Sequence, residues 1–285
     1  MGKIIACIDG STHADSVCTL SSWVSGQSGF KISLLHVVAP HTEMEAKGNL
    51  SGSIGLGAKS ELLEELTKID EEHGRLELKK GRLMLDHAKE ELENLGISTP
   101  EILHRRGSLV EIIGELEADV EIIIMGKRGE NHNNASNHLG SNLERVARSI
   151  HKPLLIATDN PKDIKRFIIA YDGSPSVKKA LDYITNTPLL KGADCHLLKA
   201  GDDNAQTQAI IKEAEDKLKA ASFNVHTHIQ KGKQVENFVA DYAAANDINL
   251  LVIGAYGHSK IRSLILGSTT TSIIRKSDIP VLLFR

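Results

Sequence analysis

The chain has little of several features that would mark a special class of protein. Its 285 residues include only 4% aromatics and carry a formal net charge of −3, so neither base-stacking platforms nor a basic nucleic-acid surface is expected. The three cysteines, Cys7, Cys18 and Cys195, form no CxxC pair, and their odd number suits a reducing compartment. No run approaches the roughly 18 apolar residues of a membrane span. These absences favour a cytoplasmic protein that binds neither membrane nor nucleic acid.

What the sequence does contain is one unit that occurs twice. Five segments recur in the same order, and three of them are KIIACIDGS (3–11) with RFIIAYDGS (166–174), VEIIIMGKRG (120–129) with INLLVIGAYG (248–257), and LGSNLERVARSIHKPLLIA (139–157) with LGSTTTSIIRKSDIPVLLF (266–284). Chance is a poor explanation for so many matches in one order. We therefore predict two domains, residues 1–158 and 164–285, joined by a short polar linker.

The first unit is longer than the second. Asp9 and Asp172 are 163 positions apart, whereas Gly107 and Gly232 are 125 apart, so the first unit holds 38 extra residues. Because the second strand precedes them and Gly107 follows them, these residues form an insertion within about 39–100.

The insertion has two parts. A Gly/Ser run at 48–57 predicts a loop, and the charged pattern that follows, with leucines three and four residues apart, predicts an amphipathic helix over roughly 58–94. Gly74 and Gly81 are candidate interruptions of this helix. Either it is a solvated surface helix, or it acts as a lid or binds a partner, and the pattern leaves both interpretations open.

Each unit alternates short apolar runs with helical patterns, which is typical of a parallel sheet with helices on both faces. The predicted strands of the first unit are Ile4–Ile8, Ile32–Val38, Ile102–His104, Ile122–Met125 and Pro153–Ala157. We therefore predict an α/β protein with two domains, each built on a five-stranded parallel sheet. In such sheets ligands bind beyond the carboxyl ends of the strands, where the strand order reverses.

The stretch GAYGHSKIRSLILGST, residues 254–269, follows a predicted buried strand and has two interpretations. Its glycines allow unusual backbone angles and the close approach of a ligand, and a helix start after Gly267 would attract phosphate, with Lys260 and Arg262 adding positive charge. Alternatively, the glycines only turn the chain and Ser268 caps a helix. The stretch is neither a Walker P-loop nor the dinucleotide fingerprint that follows a first strand.

The spacing of this stretch carries a family resemblance. Gly254, two residues, Gly257, nine residues, Gly267 and Ser268 match the G-x2-G-x9-G-[S/T] pattern of universal stress proteins. The repeated unit resembles the universal stress protein domain, and essentially the whole chain resembles tandem members of that family. The resemblance implies a flavodoxin-like, or Rossmann-like, fold, binding of ATP (or ADP or AMP) with Mg²⁺, and a role in stress signalling with unknown protein partners.

The resemblance also implies site residues. In ATP-binding relatives the glycines hold the ribose and phosphates, while an Asp after the first strand and a backbone group at the end of the second strand hold the adenine. Carried over to the second unit, the candidate site consists of Asp172, Ala200, Ile253, Gly254, Gly257, Gly267, Ser268 and Thr269.

The first unit departs from the family pattern. Ten residues rather than nine separate Gly129 from Gly140, and Asn142 replaces Thr269 after the serine. An inserted residue in a phosphate loop should weaken binding, so we expect the second unit to hold the stronger site. The weaker candidate site consists of Asp9, Val37, Met125, Gly126, Gly129, Gly140, Ser141 and Asn142.

Other features favour binding over catalysis. Asp9 and Asp172 each stand in a DGS sequence and can also cap the following helix. His132 and His138 are expected to be solvated rather than metal ligands, because their loop offers no third ligand at the usual spacing. No catalytic triad, metalloprotease motif or water-positioning base is evident, so we expect slow ATP hydrolysis at most.

Three functions remain open at this stage. The chain is a nucleotide-binding stress or signalling module, a scaffold with one or both sites empty that binds a protein or another small ligand, or an enzyme of the wider adenine-nucleotide-binding α/β group. In relatives the last strand often pairs domains, so 152–157 and 279–285 are expected to pair within one chain. This would give an internal pseudo-dimer, and a homodimer of such chains stays possible.

Overall fold

The structure is a computed structural model that describes residues 2–39, 56–130, 139–231, 235–255 and 266–285. The first half contains β1 (Lys3–Cys7), α1 (Ala14–Ser28), β2 (Lys31–Val38), α2 (Leu56–Asn94), β3 (Glu101–Arg106), α3 (Leu109–Leu116), β4 (Val120–Gly126), α4 (Ser141–Ser149) and β5 (Leu154–Ala157). The second half contains β6 (Arg166–Ala170), α5 (Pro175–Asn186), β7 (Asp194–Ala200), α6 (Ala205–Ala220), β8 (Val225–Gln230), α7 (Val235–Ala245), β9 (Leu250–Gly254), α8 (Ser268–Lys276) and β10 (Val281–Phe284).

The described strands form one sheet of ten, in the order β3-β2-β1-β4-β5-β10-β9-β6-β7-β8. Strands within each half are parallel, and the halves join through an antiparallel pair in which Leu282 faces Leu155. The predicted α/β fold is thus confirmed, and the two five-stranded sheets are continuous through their last strands. The strand order reverses between β1 and β4, and again between β6 and β9, which places one ligand crevice in each half.

Successive residues along each strand point into opposite hydrophobic cores. Ile4 and Leu34 point to one face, where α1, α2, α5 and α6 pack, whereas Ile5 and Leu35 point to the other, covered by α3, α4, α7 and α8. This double burial is why the strands read as continuous apolar runs.

The helix of the insertion, α2, is continuous across both glycines, so the predicted interruptions are wrong. Gly81 is buried where α2 crosses the sheet, and a Cβ there would lie 2.4 Å from the His36 ring. Glycine therefore permits close packing at this point rather than breaking the helix. Of the predicted 48–57 loop, residues 56–57 belong to α2, and 48–55 lie outside the described residues.

None of the helices in the described ranges is both long and apolar enough to cross a bilayer.

Candidate functional site

A cavity of about 380 Å³ opens in the second half at the carboxyl ends of β6 and β9. This volume falls in the range of small-molecule sites, roughly 300–1,000 Å³. Its lining includes Asp172, Ala200, Ile253, Gly254, Gly267, Ser268 and Thr269. Seven of the eight residues predicted for the stronger site therefore surround one cavity, and the eighth, Gly257, lies outside the described residues, as do Lys260 and Arg262.

The two described glycines of this pocket are there for different reasons. A Cβ on Gly254 would lie 2.3 Å from the Ser176 hydroxyl, so glycine is needed where the end of β9 meets the start of α5. Gly267 has φ −54° and ψ 138°, which any residue adopts, and a Cβ there would have its nearest contact at 3.4 Å, from the Ala255 carbonyl. Neither strain nor crowding requires glycine at 267, and its bare backbone leaves room in the pocket.

The start of α8 faces this space without a side-chain cap. Gly267 is the N-cap and makes no side-chain cap hydrogen bond, so the alternative prediction that Ser268 caps the helix is wrong. Ser268 and Thr269 are instead the first helical residues, whose N–H groups have no partner within the helix. Thr270 Oγ1 donates to the Gly254 carbonyl at 3.1 Å and ties this turn to β9. Such a helix start suits an anion.

The aspartates that follow the first strand of each half hold their own turns. Asp172 Oδ1 accepts from the Ser174 N–H at 2.8 Å, and Asp9 Oδ1 accepts from the Ser11 N–H at 3.0 Å. The helices begin one or more residues later, with Ser174 and His13 as N-caps, so neither aspartate is the N-cap itself. Because each aspartate also lines its pocket, it can hold the turn and contact a ligand as well.

A smaller cavity of about 250 Å³ occupies the equivalent place in the first half. All eight residues predicted for the weaker site line it: Asp9, Val37, Met125, Gly126, Gly129, Gly140, Ser141 and Asn142. The repeat therefore yields two pockets related by the duplication of the fold.

Comparison with known proteins assigns the family. The model of the universal stress protein family matches twice, over residues 1–158 and 163–285. The chain is 38% identical over 288 residues to the universal stress protein Slr1230 of Synechocystis sp., and the match covers 100% of both chains. The chain belongs to the universal stress protein family.

Solved structures of universal stress proteins share the fold over nearly the whole chain. One from Archaeoglobus fulgidus is 23% identical, has a TM-score of 0.69, and is matched over 99% of this chain and 96% of its own. A putative family member from Pseudomonas aeruginosa is 16% identical, with a TM-score of 0.61 and coverage of 99% and 92%.

The first pocket contains carboxylates that the sequence analysis missed. Glu77 of α2 and Glu130, which follows the glycine turn, both line it. Glu130 lies so close to the first strand's turn that a Cβ on Gly10 would be 2.8 Å from its Cδ. Lys80 of α2 forms an ion pair with Glu130, and their hydrogen bond raises the pKa of Lys80. The lining of the first pocket thus holds three carboxylates, Asp9, Glu77 and Glu130, one of them paired with Lys80, against Asp172 alone in the described lining of the second.

The residue beneath the glycine turn also differs between the halves. In the first half the buried His13 lies under Gly126, where a Cβ would be 2.8 Å from the His13 Cβ. In the second half Ser176 holds this place under Gly254. Burial lowers the pKa of His13, with Asp159 acting in the opposite direction from 3.5 Å away. Of the two described turns, therefore, only the first rests on a histidine, the side chain whose ordinary pKa is closest to neutral pH.

The second pocket has an apolar wall that sequence reasoning did not include. This wall comes from the end of β6 and from β7, α7 and α8, and its side chains are Tyr171, Leu198, Phe238, Val239 and Ile273. The signal was available, because in a doubly wound sheet the helices beside the reversal of strand order flank the crevice. The equivalent helix of the second half, α6, has 16 residues against 39 in α2, and it adds no carboxylate to the described lining of this pocket.

No group of three or more His, Cys, Asp or Glu side chains among the described residues is placed to hold a metal ion. The second pocket offers the hydroxyls of Ser268 and Thr269 and the carboxylate of Asp172. These are oxygen donors, the kind of ligand that Mg²⁺ takes while it commonly keeps several waters. His132 and His138 lie outside the described residues.

Proposed function

We propose that the second half binds an adenine nucleotide, ATP or its products ADP and AMP, and that the protein acts as a stress-response or signalling module. The observation that carries this proposal is the 380 Å³ pocket, in which the open backbone at Gly267 and the uncapped start of α8 face Asp172 across the crevice. Nucleotide binding would then change the shape of the protein or change which partners it binds.

The pocket has a place for each part of such a ligand. Phe238 and Val239 give an apolar surface for a purine, and Asp172 and the Ala200 backbone supply the polar contacts that the family pattern assigns to adenine. The N–H groups at the start of α8 lie where phosphates would bind. The hydroxyls of Ser268 and Thr269 would hold nucleotide-bound Mg²⁺, which neutralises phosphate charge.

Hydrolysis would be slow at most. Rapid phosphoryl transfer needs a group that orients water, and Asp172 is the one carboxylate in the described lining. Its Oδ1 already accepts the Ser174 N–H. A steady-state turnover assay with ATP and Mg²⁺ tests this expectation, and rapid turnover would instead support an enzyme.

A non-catalytic scaffold is the second candidate, and the first pocket favours it for that half. Its carboxylates, Glu77 and Glu130, oppose a polyphosphate, so this site would stay free of nucleotide and would bind a protein or another small ligand. In that case the protein would have one nucleotide site, in the second half, and one site for a protein or another small ligand, in the first half.

Two measurements test the proposal. Denaturing the purified protein and separating the released small molecules by chromatography should yield ATP, ADP or AMP. Titration calorimetry on nucleotide-free protein should give one strong site per chain. If nothing is released and no heat of binding is seen, the protein is not a nucleotide-binding module. Two equal sites would show that the carboxylates of the first pocket do not matter.

A further inference from the structure

The N-terminal part of α2 stands away from the body of the protein. Its C-terminal part packs on the sheet and α1 through the buried Leu85, Ala88 and Leu92. From residue 67 to residue 76, by contrast, every side chain is exposed, and this is the part that projects, whereas Glu77 and Lys80 reach the first pocket. An isolated helix of this length is marginal in water, because most helical stability in proteins comes from packing of an apolar face. The projecting part therefore calls for a partner.

A regular apolar stripe begins in this projecting part and runs along the exposed side of α2. Ile69, Leu76 and Leu83 are 60%, 64% and 61% exposed and recur every seven residues. Seven residues are nearly two helical turns, so the three side chains lie in one row with a drift of only about 20° per repeat. The row lies on the far side of the helix from Leu85 and Ala88, which pack on the core, and it is open to a partner.

Charges along the helix indicate what kind of partner fits. Residues 65–72 hold four carboxylates and one lysine, whereas residues 75–82 hold four basic residues and one glutamate. Two copies of α2 side by side in the same direction would place like charges together. Two antiparallel copies would place the acidic segment of each against the basic segment of the other, twice over.

Gly74 lies between the acidic and basic segments. A Cβ there would meet no atom within 4 Å, so nothing in the described part of this chain requires glycine at this point. Glycine in an exposed helix interior costs about 1 kcal/mol relative to alanine. Gly74 is two residues from Leu76, which is about 200° round the helix, so it lies on the side away from the stripe and is not part of the interface proposed below.

We propose that a second copy of this chain covers the stripe, and that the protein forms a two-fold symmetric dimer through antiparallel α2 helices. Such an interface is self-complementary, as a two-fold axis requires. The last strands β5 and β10 already pair within the chain, so a homodimer must use another surface. This proposal does not depend on nucleotide binding.

Sedimentation velocity over a range of concentrations tests the assembly. The 31.0 kDa chain should reach twice that mass as the concentration rises. A mass of one chain at every concentration would overturn the proposal.

A matched pair of substitutions tests the surface. Leu76→Ser should weaken the dimer about tenfold or more, because an anchor in the stripe is lost. Leu78→Ser makes the same chemical change two residues away on another face, where Leu78 is 41% exposed, and should leave the dimer unchanged. Equal effects of the two substitutions would contradict the stripe, and both variants share any loss of helix propensity.

Charge reversal tests the antiparallel direction. Arg75→Glu with Lys79→Glu gives both segments a net negative charge, and Glu71→Lys with Glu72→Lys gives both segments a net positive charge. Each double variant alone should dimerise more weakly than the unaltered chain, and a mixture of the two should form mixed dimers. Failure of the mixture to associate, with both variants folded by circular dichroism, would exclude the antiparallel pair.

Discussion

The two pockets lie at equivalent points of a duplicated fold, and they differ in volume and in the charged side chains that line them. The second has a volume of about 380 Å³ and the first about 250 Å³. The backbone frame is the same in both, since the Gly140 N–H donates to the Lys127 carbonyl as the Gly267 N–H does to that of Ala255. The difference therefore comes from side chains and from the inserted helix, and not from the sheet.

Lys127, in the first glycine turn, makes a contact with the other half of the chain, and its counterpart in the second turn is Ala255. Both residues follow the first glycine of their turn, but Lys127 is buried and its Nζ donates to the Ser277 carbonyl at 2.7 Å. Burial lowers the pKa of this lysine. Its ammonium therefore ties the turn of the first half to the C-terminal end of α8, instead of facing a ligand. Duplication allows one copy to take up contacts between the halves while the other keeps its pocket.

The largest effect on nucleotide affinity should come from adding a side chain at Gly267, in the second pocket. Gly267→Val puts a side chain into the space beside the start of α8 where phosphates would bind, and a clash of this kind with the ligand costs about 1–3 kcal/mol. We expect nucleotide affinity to fall roughly ten- to a hundredfold. Titration calorimetry with ATP and Mg²⁺ measures it.

Gly140→Val is the matched control in the first half. A Cβ there would lie 3.2 Å from the Gly129 nitrogen, so this change strains the first turn and should lower thermal stability. It should leave nucleotide affinity unaltered. If Gly140→Val removed binding and Gly267→Val did not, the ranking of the two pockets would be reversed.

A smaller effect should come from neutralising the first pocket. Glu130→Gln removes a negative charge from its lining, and we expect a weak second nucleotide site to become measurable, with a gain in affinity of up to about tenfold. Lys80→Gln breaks the same ion pair but keeps the carboxylate, so it should give no gain. A second site that is equally strong before and after Glu130→Gln would mean that the carboxylate does not set the difference.

The sequence was sufficient to predict the fold because the buried strands are nearly all apolar. The pairing of the last strands was expected from the family resemblance alone, and Leu154 indeed faces Leu283. The family resemblance, recognised from the glycine spacing, predicted the described residues that line each pocket, and their contacts with nucleotide stay a prediction.

The rest depended on contacts between distant residues. Lys80 and Glu130 are 50 positions apart, and nothing in either local pattern indicates that α2 reaches the first pocket. Gly81 looked like a helix breaker, because a sequence does not tell a glycine that ends a helix from one that allows close packing. Ser268 matched the preference for a helix cap, yet the helix begins one residue earlier than that role requires.

The smallest effect that separates the halves should be their response to acid. Because burial lowers the pKa of His13 in the folded state, the unfolded chain binds a proton at a higher pH than the folded chain does. Stability is therefore fully present above the unfolded pKa of about 6.5 and declines as the pH falls from there towards the folded value. His104 and His196 also have lowered pKa values through burial and act in the same direction, so a measurement of overall stability does not isolate His13.

Hydrogen exchange isolates the effect of His13. After correction for the intrinsic exchange rate, protection of the amides around Gly126 should fall between pH 7 and pH 5. Protection of the amides around Gly254, which rests on Ser176, should not fall. The change at Gly126 should disappear in His13→Gln, and its persistence in that variant would assign the response to another group.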